Sequence, residues 1–476
     1  MDMSHQPDKV RWGSTLCGSR IEGYGLRFLT LALSLAAFGG GVGAGNELYK
    51  KYEPADSRPV PKEGVDWNRF ISNIPDDASQ PKVLMIGDSI CGGLNDSCPV
   101  PVQAILGDTA YVAYWFSSKA CTDPDYIRAL SIALEQYEYD MITFNNGLHG
   151  HGADEKTFSA AYENTVDFIR AKCPKAKLML VTSTFLRAYP TDPKLRLVGP
   201  EKISEAQFEK TAKEYQSGLL RDRELNGVVF KLAAERNLPM VDLWKTAASF
   251  PRTDEYWSDA VHFSKKGFGI LAEELVLRIR ETSKLPEYQG KPFACKTTRS
   301  MLNMMFNTFD NKHPRVFAVG GNVGSPDALR KSSLKDVANC GYWIMSFGYE
   351  HPSYMECLDY AASLLSADLV LYNPPSGESD DIWKQNFSKA FSILRKGIPK
   401  AKIALVMLPG NAKEINDYMR GFAASNKAFV IETNTAKTRF DEKMLGEAAR
   451  QLLDMPEPKG KVMNSGSELG PDGAIR

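Results

Sequence analysis

Three residues of this sequence have the types and the spacing needed for nucleophilic catalysis. Ser89 follows the apolar run at 82–86 and a Gly-Asp pair, in KVLMIGDSI. Asp259 and His262 are three residues apart, in DAVH, just before a helical pattern. A serine hydroxyl needs a neighbouring imidazole to remove its proton, and a carboxylate can hold that imidazole in the right tautomer. The three residues therefore predict a Ser-His-Asp triad with Ser89 as the nucleophile.

The elements that must position these residues alternate between strands and helices. The apolar runs KVLMI, YDMITF, KLMLVTS and LPMVDL are typical of strands buried on both faces of a sheet. Amphipathic stretches at 155–172 and 267–281 have the period of helices. This alternation predicts an α/β fold with a parallel sheet, in which an active site lies outside the carboxyl ends of the strands. Ser89 follows the first of these runs, and the alternative for it is a turn serine that caps the next helix.

GDSI at 87–90 and DAVH at 259–262 resemble the first and last motif blocks of the GDSL, or SGNH, esterase and lipase family. The resemblance covers residues 81–284 and includes the chain order Ser, Asp, His. It implies a three-layer α/β/α sandwich with a parallel sheet, of the flavodoxin-like kind. It also implies hydrolysis or transfer of acyl groups through a Ser-linked acyl-enzyme, without a metal or an organic cofactor.

The same resemblance implies an oxyanion hole, the set of donors that stabilises the tetrahedral intermediate. The N–H of Ser89 is one expected donor. In the third motif block, FNNGLHGHG, His149 stands where the family has asparagine; Asn146 is a comparable candidate and Asn145 ranks lower. The second block, FSSKACTDPD, lacks the family's glycine, so the backbone N–H of Ala120 or of a neighbour is the expected donor there.

Collinear similarities indicate that the chain is built twice. PKAKLMLVTST at 174–184 recurs as PKAKIALVMLP at 399–409. YWFSSKACTDPDY at 114–126 recurs as YWIMSFGYEHPSY at 342–354. We therefore predict a duplicated α/β domain.

The second copy lacks the reactive residues of the first. Asn322 stands opposite Ser89, and Ala436 and Arg439 stand opposite the Asp and His of DAVH. No Asp-x-x-His occurs at the place in this copy that aligns with DAVH. The second copy is therefore predicted to be a degenerate, non-catalytic SGNH-like domain that serves in packing, ligand binding or oligomerisation.

The N-terminus has the pattern of an export signal. An uncharged apolar stretch at 28–45 follows Arg11, Arg20 and Arg27, as in a signal peptide or an N-terminal membrane anchor. We therefore expect a secreted protein, or a membrane-anchored one with its domains outside the cytoplasm. The predicted segments are the signal peptide or anchor (1–45), a linker (46–80), the SGNH-like catalytic domain (81–284), a linker (285–312), the degenerate domain (313–455) and a disordered tail (456–476).

Composition limits the partners. Lys+Arg and Asp+Glu are 58 each, so the formal net charge is zero and nothing indicates nucleic-acid binding. The eight cysteines form no CxxC pair, and His149 and His151 have no third ligand nearby, so no metal site is predicted. Cys91 and Cys98 flank a short loop and are candidates for a disulfide in an oxidising compartment.

The leading interpretation is an exported serine esterase that hydrolyses carboxylic esters. The expected substrate is an acylated glycan or lipid, with polysaccharide deacetylation as one form of this activity. Two alternatives stay open: an O-acyltransferase that passes the acyl group to a glycan, and a non-catalytic binding protein. Nothing in the sequence indicates an oligomeric state.

Overall fold

Continuous apolar runs form strands that are buried on both faces. The four predicted runs become β2 (Lys82–Gly87), β4 (Met141–Phe144), β5 (Lys177–Val181) and β6 (Met240–Val241) in the computed structural model. Leu84 and Ile86 of β2 pack into the core on one face, and Val83 and Met85 pack into the core on the other. The structure describes residues 65–76, 78–96, 101–123, 125–149, 153–185, 224–258, 261–287, 299–307, 314–321, 323, 328–329, 332, 334, 338–345, 348–351, 353–364, 367–377, 380–408, 412–433, 442–454 and 474–475.

The strands of the described residues belong to one mostly parallel sheet. The others are β1 (Val65–Ser72), β3 (Tyr111–Ser117), β7 (Arg299–Asn307), β8 (Arg315–Val319), β9 (Asn339–Met345), β10 (Leu369–Tyr372), β11 (Lys402–Met407), β12 (Phe429–Glu432) and β13 (Ala474–Ile475). Their order is β13-β12-β11-β10-β8-β9-β7-β1-β3-β2-β4-β5-β6. β1 and β7 pair antiparallel with each other and with β3 and β9, and the other pairings are parallel. The predicted α/β class with a parallel sheet is confirmed.

Helices cover both faces of this sheet. They are α1 (Ser89–Asp96), α2 (Val102–Leu106), α3 (Tyr126–Leu134), α4 (Glu155–Lys172), α5 (Leu243–Ala248), α6 (Lys265–Ser283), α7 (Tyr354–Ser363), α8 (Asp381–Gly397), α9 (Lys413–Ser425) and α10 (Glu442–Asp454), with a further helical segment at 224–235. α1, α2, α5 and α6 pack on one face, and α10 packs on a separate core of β8, β10, β11 and β12. α3, α4, α7, α8 and α9 share one continuous core. The described chain therefore has the three layers that were expected.

The order of strands repeats on either side of the central pair. Outward from the centre, the first half (strands β1–β6) runs β1-β3-β2-β4-β5-β6. The second half (strands β7–β13) runs β7-β9-β8-β10-β11-β12, and β13 follows at its edge. The two predicted domains therefore share a single sheet. That the second half is a degenerate copy of the first stays a prediction.

Segments that were expected to be linkers or a disordered tail contain strands, so those boundaries were wrong. β1 lies in the expected linker 46–80, β7 lies in the expected linker 285–312, and the short β13 lies in the expected tail 456–476. The physical reason is that β1 and β7 pair with each other across more than 200 residues of sequence, a contact that no local pattern reveals. The two strands join the halves at the middle of the sheet.

The described chain contains no helix that is both long enough and apolar enough to cross a membrane. The predicted signal peptide or anchor at 1–45 lies outside the described residues. The expected location of the protein therefore stays a prediction.

Candidate active site

Ser89 lies where β2 ends and α1 begins. β2 ends at Gly87 and α1 begins at Ser89, so the half-buried serine is at the carboxyl end of a central parallel strand. Gly87 is required here, because a Cβ at this position would lie 2.5 Å from the Cβ of Cys91. Oδ1 of Asp88 accepts a hydrogen bond of 2.9 Å from the N–H of Ile90. The aspartate therefore satisfies a free N–H at the start of α1 and leaves the Ser89 hydroxyl for other contacts.

His262 lies in a short loop that buried aromatic residues hold in place. A bridge between Trp257 and Phe263 closes the loop, and the N–H of Ser258 donates to the His262 carbonyl at 3.0 Å. Trp257 and Phe263 are buried, with ring centroids 4.4 Å apart. Helix α6 begins just beyond, where the side chain of Ser264 caps its N-terminus. The packing of this loop fixes the position of the histidine backbone.

These two elements bring Ser89 and His262 together across 173 residues of sequence. Nε2 of His262 lies 2.9 Å from Oγ of Ser89, which is hydrogen-bonding distance. An unprotonated Nε2 in this position can accept the hydroxyl proton, as a general base must. Asp259, the predicted orienting group, lies outside the described residues, and its role stays a prediction.

Two glycines of α1, which the sequence motifs did not single out, let the serine helix approach its neighbours. At Gly93, an added Cβ would lie 2.0 Å from Cζ of Phe268 in α6. At Gly92, a Cβ would lie 2.8 Å from the ring of Phe116 in β3. Because α6 follows directly on the loop of His262, the absence of a side chain at Gly93 lets the helix that begins at Ser89 lie close to the element that carries the histidine. The available signal was a Gly-Gly pair inside a helix, where glycine is unfavourable without a packing reason.

The first two oxyanion-hole candidates lie at the same edge of the sheet. The N–H of Ser89 is in the first turn of α1, where backbone N–H groups lack an intrahelical acceptor and the helix dipole favours negative charge. His149 follows β4, and its ring stands edge-on to Trp67 with centroids 6.3 Å apart. His151 lies outside the described residues, and within them no group of three or more His, Cys, Asp or Glu side chains could hold a metal ion. Donation from Ser89 and His149 to a substrate oxygen stays a prediction.

The other two candidates bind the loop after β3. Asn146 is fully buried; its Nδ2 donates to the Lys119 carbonyl at 3.0 Å, and its Oδ1 accepts from the N–H of Cys121. It thereby positions this loop, and its donation to an oxyanion stays a prediction. The N–H of Ala120 donates to Oδ2 of Asp123 at 2.7 Å. This N–H is used within its own turn, and donation to an oxyanion by Ala120 or a neighbour stays a prediction.

The carboxyl of Asp88 interacts electrostatically with both His149 and His262. Burial raises the pKa of this fully buried carboxyl, while His149, the N–H of Ile90 and His262 lower it. The carboxyl is therefore in a site where its charge is costly but is partly offset by both imidazoles. We assign it a structural role beneath the serine.

Cys91 is a buried free thiol. Burial raises its pKa well above the usual value, so it is not a thiolate nucleophile. Because Cys91 is free, the disulfide that was considered between Cys91 and Cys98 is not formed. Cys98 itself lies outside the described residues. Cys91 fills the space against Gly87 and so helps to shape the turn that presents the serine.

A buried ion pair beside the loop after β3 accepts a hydrogen bond from the second half. Nζ of Lys119 lies 3.2 Å from Oδ2 of Asp125, with side chains 2% and 7% exposed. The hydroxyl of Tyr360, in α7, donates to the same Oδ2 at 2.8 Å and accepts from Nδ2 of Asn68 at 3.2 Å. Buried charges persist only when further hydrogen bonds satisfy them. The second half therefore supplies one of the groups that stabilise a loop of the candidate site.

Comparisons with known proteins gave matches among solved structures. No family model and no curated protein matches the chain. Among the solved structures that match are SGNH-type acylhydrolases and related enzymes. They include a lipase/acylhydrolase from Enterococcus faecalis, at 20% identity over 44% of this chain and 100% of its own, with a TM-score of 0.32.

Two further solved structures have comparable similarity. One is the salicylyl-acyltransferase SsfX3 from a tetracycline biosynthetic pathway, at 16% identity over 45% of this chain and 58% of its own, with a TM-score of 0.31. The other is an active-site mutant of a family two carbohydrate esterase from Clostridium thermocellum in complex with cellohexaose. It is 17% identical over 44% of this chain and 66% of its own, with a TM-score of 0.28. At these identities and scores the matches carry no argument about the activity of this chain.

Proposed function

We propose that the protein is a carboxylic-ester hydrolase that works through an acyl-enzyme on Ser89. The observation that carries the proposal is the 2.9 Å contact between Oγ of Ser89 and Nε2 of His262 at the carboxyl edge of a parallel sheet. A serine that only caps a helix has no need of an imidazole, and here Asp88 makes the hydrogen bond to the first turn. A purely binding role also leaves the contact between the hydroxyl and the imidazole without a purpose.

In the proposed reaction, Nε2 of His262 takes the proton from Oγ as Oγ attacks the ester carbonyl carbon. The N–H of Ser89 stabilises the negative charge that develops on the carbonyl oxygen, with His149 and Asn146 as proposed further donors. The proton then passes from Nε2 to the leaving alcohol as the C–O bond breaks. Water then attacks the acyl carbon and gives a proton to Nε2 of His262. This proton passes to Oγ of Ser89 as the bond to the acyl group breaks, which releases the acid and restores the serine. Asp259 orients the imidazole in this scheme.

The proposal extends to substrate and location as they were expected from the sequence. The substrate is an acylated glycan or lipid. The reaction takes place outside the cytoplasm, because the apolar stretch at 28–45 has the pattern of an export signal or anchor. The second half is proposed to be a non-catalytic relative of the first. The repeated order of strands supports this proposal.

The test uses the purified full-length protein, 4-nitrophenyl acetate as substrate and a fluorophosphonate as label. Ser89→Ala is expected to lower kcat/KM by about 10³-fold or more and to abolish labelling, because the nucleophile is gone. Ser392→Ala, which removes an exposed hydroxyl on α8, is the matched control and should leave both unchanged. Labelling of the Ser89→Ala variant at the wild-type level would refute the proposal.

A further inference from the structure

Tyr360, in α7 of the second half, is bound by several residues of the first half. Its side chain is buried, and its hydroxyl donates to Oδ2 of Asp125 at 2.8 Å and accepts from Nδ2 of Asn68 at 3.2 Å. The guanidinium of Arg128, in α3, lies over its ring, with Cζ 5.5 Å from the centroid. Arg128 also pairs with Asp359, the neighbour of Tyr360 in α7. These contacts fix the hydroxyl of Tyr360 against the first half.

This hydroxyl takes part in the hydrogen bonding of a buried carboxylate. Oδ2 of Asp125 lies 3.2 Å from Nζ of Lys119, and both side chains are almost fully buried. Oδ1 of Asp125 is buried and has no hydrogen-bond partner among the described residues. Tyr360 and Lys119 are therefore the donors that the structure gives to this charge. Because a buried charge with too few donors is costly, we expect the carboxylate to shift when the hydroxyl is removed, and Lys119 to shift with it.

Lys119 belongs to the loop after β3, and this loop fixes the side chain of Asn146. The Lys119 carbonyl accepts a hydrogen bond of 3.0 Å from Nδ2 of Asn146, and the N–H of Cys121 donates to Oδ1. The amide group is planar and its nitrogen carries two hydrogens. The two bonds therefore also set the direction of the second N–H of Asn146, and a shift of the loop turns it.

Asn146 and Lys119 follow the strands on either side of the one that leads to Ser89. Each of the three residues is the second beyond the end of its strand, β4, β3 and β2 respectively. β3 and β4 are the two neighbours of β2, and adjacent strands are about 4.8 Å apart. The N–H of Asn145 donates to the Ile86 carbonyl at 2.9 Å, which joins the start of the Asn146 loop to β2. Asn146 is therefore about one strand spacing from the turn that carries Ser89.

The ion pair has no counterpart in the sequence of the second half. At the offset that relates YWFSSKACTDPDY to YWIMSFGYEHPSY, Lys119 and Asp125 correspond to Phe347 and Ser353. A buried ion pair is seldom more stabilising than apolar side chains of similar volume. Its position beside the reactive serine therefore points to a role in the reaction rather than in stability.

We propose that Tyr360 is a positioning residue for ester hydrolysis at Ser89. Its hydroxyl holds the pair of Asp125 and Lys119 in place. The loop after β3 then directs the second N–H of Asn146 to the oxygen of the tetrahedral intermediate. The inference rests on the proposed function. It makes the second half a part of the catalytic unit, although the proposed nucleophile and base belong to the first.

The test removes the hydroxyl alone. Tyr360→Phe keeps the ring against Arg128 and is expected to lower kcat for 4-nitrophenyl acetate by about tenfold, with KM within about twofold of the wild type. Acylation and deacylation both pass through a tetrahedral oxyanion, so both steps slow together. The matched control is Tyr139→Phe. This buried hydroxyl donates to the Ala133 carbonyl at 2.8 Å, just before the start of β4 and so at the opposite edge of the sheet. Its loss should leave kcat within about twofold of the wild type.

A double-mutant cycle tests the path through Asn146. Asn146→Ala removes the donor, so the addition of Tyr360→Phe to this variant should lower kcat by less than about twofold. Independent roles would instead multiply the two losses. Circular dichroism checks that each variant is folded. If Asn146→Ala does not fold, the effects of Tyr360→Phe on kcat and on KM, compared with those of Tyr139→Phe, decide.

The outcomes separate this inference from the proposed function. Wild-type kcat in the folded Tyr360→Phe variant would overturn the inference. So would an equal loss in Tyr139→Phe, a loss that falls on KM, or losses that multiply in the cycle. In these cases ester hydrolysis would stand as long as it depends on Ser89. If hydrolysis does not depend on Ser89, the proposed function fails and the role of Tyr360 fails with it.

Discussion

The two halves of the sheet have the same strand order but use its carboxyl edge differently. In the first half, this edge carries Ser89 in contact with His262. In the second half, Asn322 stands opposite Ser89 in the sequence. The strands and the aspartate-capped helices are common to both halves and are therefore what the fold requires. Among the described residues, the contact between serine and histidine occurs in the first half, which points to a function beyond stability.

Two asparagines show the same distinction at the level of single residues. Asn145 and Asn373 each follow the fourth strand of their half, and each N–H donates to the carbonyl at the end of the second strand, at 2.9 and 2.8 Å. Each Nδ2 donates to a carbonyl near the end of the fifth strand, at 2.7 and 3.2 Å. The next residue is Asn146 in the first half and Pro374 in the second. The first asparagine therefore has a structural role in both halves, whereas Asn146 is particular to the half that carries Ser89.

The largest expected difference in activity between the halves is seen when one histidine is replaced in each of them. His262→Gln should lower kcat for 4-nitrophenyl acetate by about 10³-fold or more, because Ser89 loses the group that takes its proton. His351→Gln should leave kcat unchanged. In the second half, Nδ1 of His351 accepts from the N–H of Ser353 at 3.2 Å, and burial lowers its pKa to about 4. It is thus a neutral imidazole engaged with its own turn.

Steady-state hydrolysis by the two purified variants, with circular dichroism to check folding, makes this measurement. Equal losses in the two folded variants would break the comparison, because activity would then depend on a histidine of each half. Full activity of the His262→Gln variant would show that the contact with Ser89 has no catalytic role.

The sequence predicted the elements and residues whose signals are local. β2, β4 and α4 follow from hydrophobic period, and the Ser89–His262 contact follows from two short motifs at the ends of predicted elements. β1 and β7 were missed because they pair with each other across more than 200 residues of sequence, and such a pairing leaves no local pattern. The bond from the N–H of Ala120 to Asp123 was not predicted, because it depends on the conformation of one turn. Such contacts depend on three-dimensional packing and leave no period or motif in the sequence.

A smaller effect is expected at the contact between α1 and α6. Gly93→Ala should lower the free energy of unfolding by about 1–3 kcal/mol, because the new methyl group overlaps the ring of Phe268. It should also lower kcat by about tenfold, since the helix that begins at Ser89 must move away from the element of His262. Urea unfolding and hydrolysis of 4-nitrophenyl acetate measure the two effects.

The matched control is a glycine in a helix of the second half. Gly421 lies inside α9 with open space around its Cα, so Gly421→Ala should raise the free energy of unfolding by about 0.5–1 kcal/mol through helix propensity. Its kcat should equal that of the wild type. A Gly93→Ala variant that behaves like Gly421→Ala would show that the close approach of the two helices does not set the catalytic distance.

The smallest expected effect tests how far the two halves depend on each other. Glu356, in α7, lies at the contact between α7 and α3, where burial and the neighbouring Glu135 raise its pKa to about 7, while Arg128 and Lys172 lower it. The folded protein therefore holds this proton more tightly than the unfolded chain does. The stability that the protonated carboxyl provides is complete below about pH 4.5 and is lost as the pH rises to about 7. With allowance for partial exposure, the loss amounts to about 2 kcal/mol.

Glu356→Gln should remove this part of the pH dependence, because an amide keeps the shape of the protonated acid and cannot ionise. The variant should match the wild type in urea unfolding at pH 4.5 and exceed it in the free energy of unfolding by about 1–2 kcal/mol at pH 8. Glu414→Gln, at an exposed position of α9, is the control and should follow the wild type at both pH values. If the wild type and the Glu356→Gln variant unfold alike at pH 8, the contact between α3 and α7 does not titrate. The halves would then be held together by contacts that do not titrate between pH 4.5 and 8, among them the pairing of β1 with β7 and the buried hydrogen bonds of Tyr360.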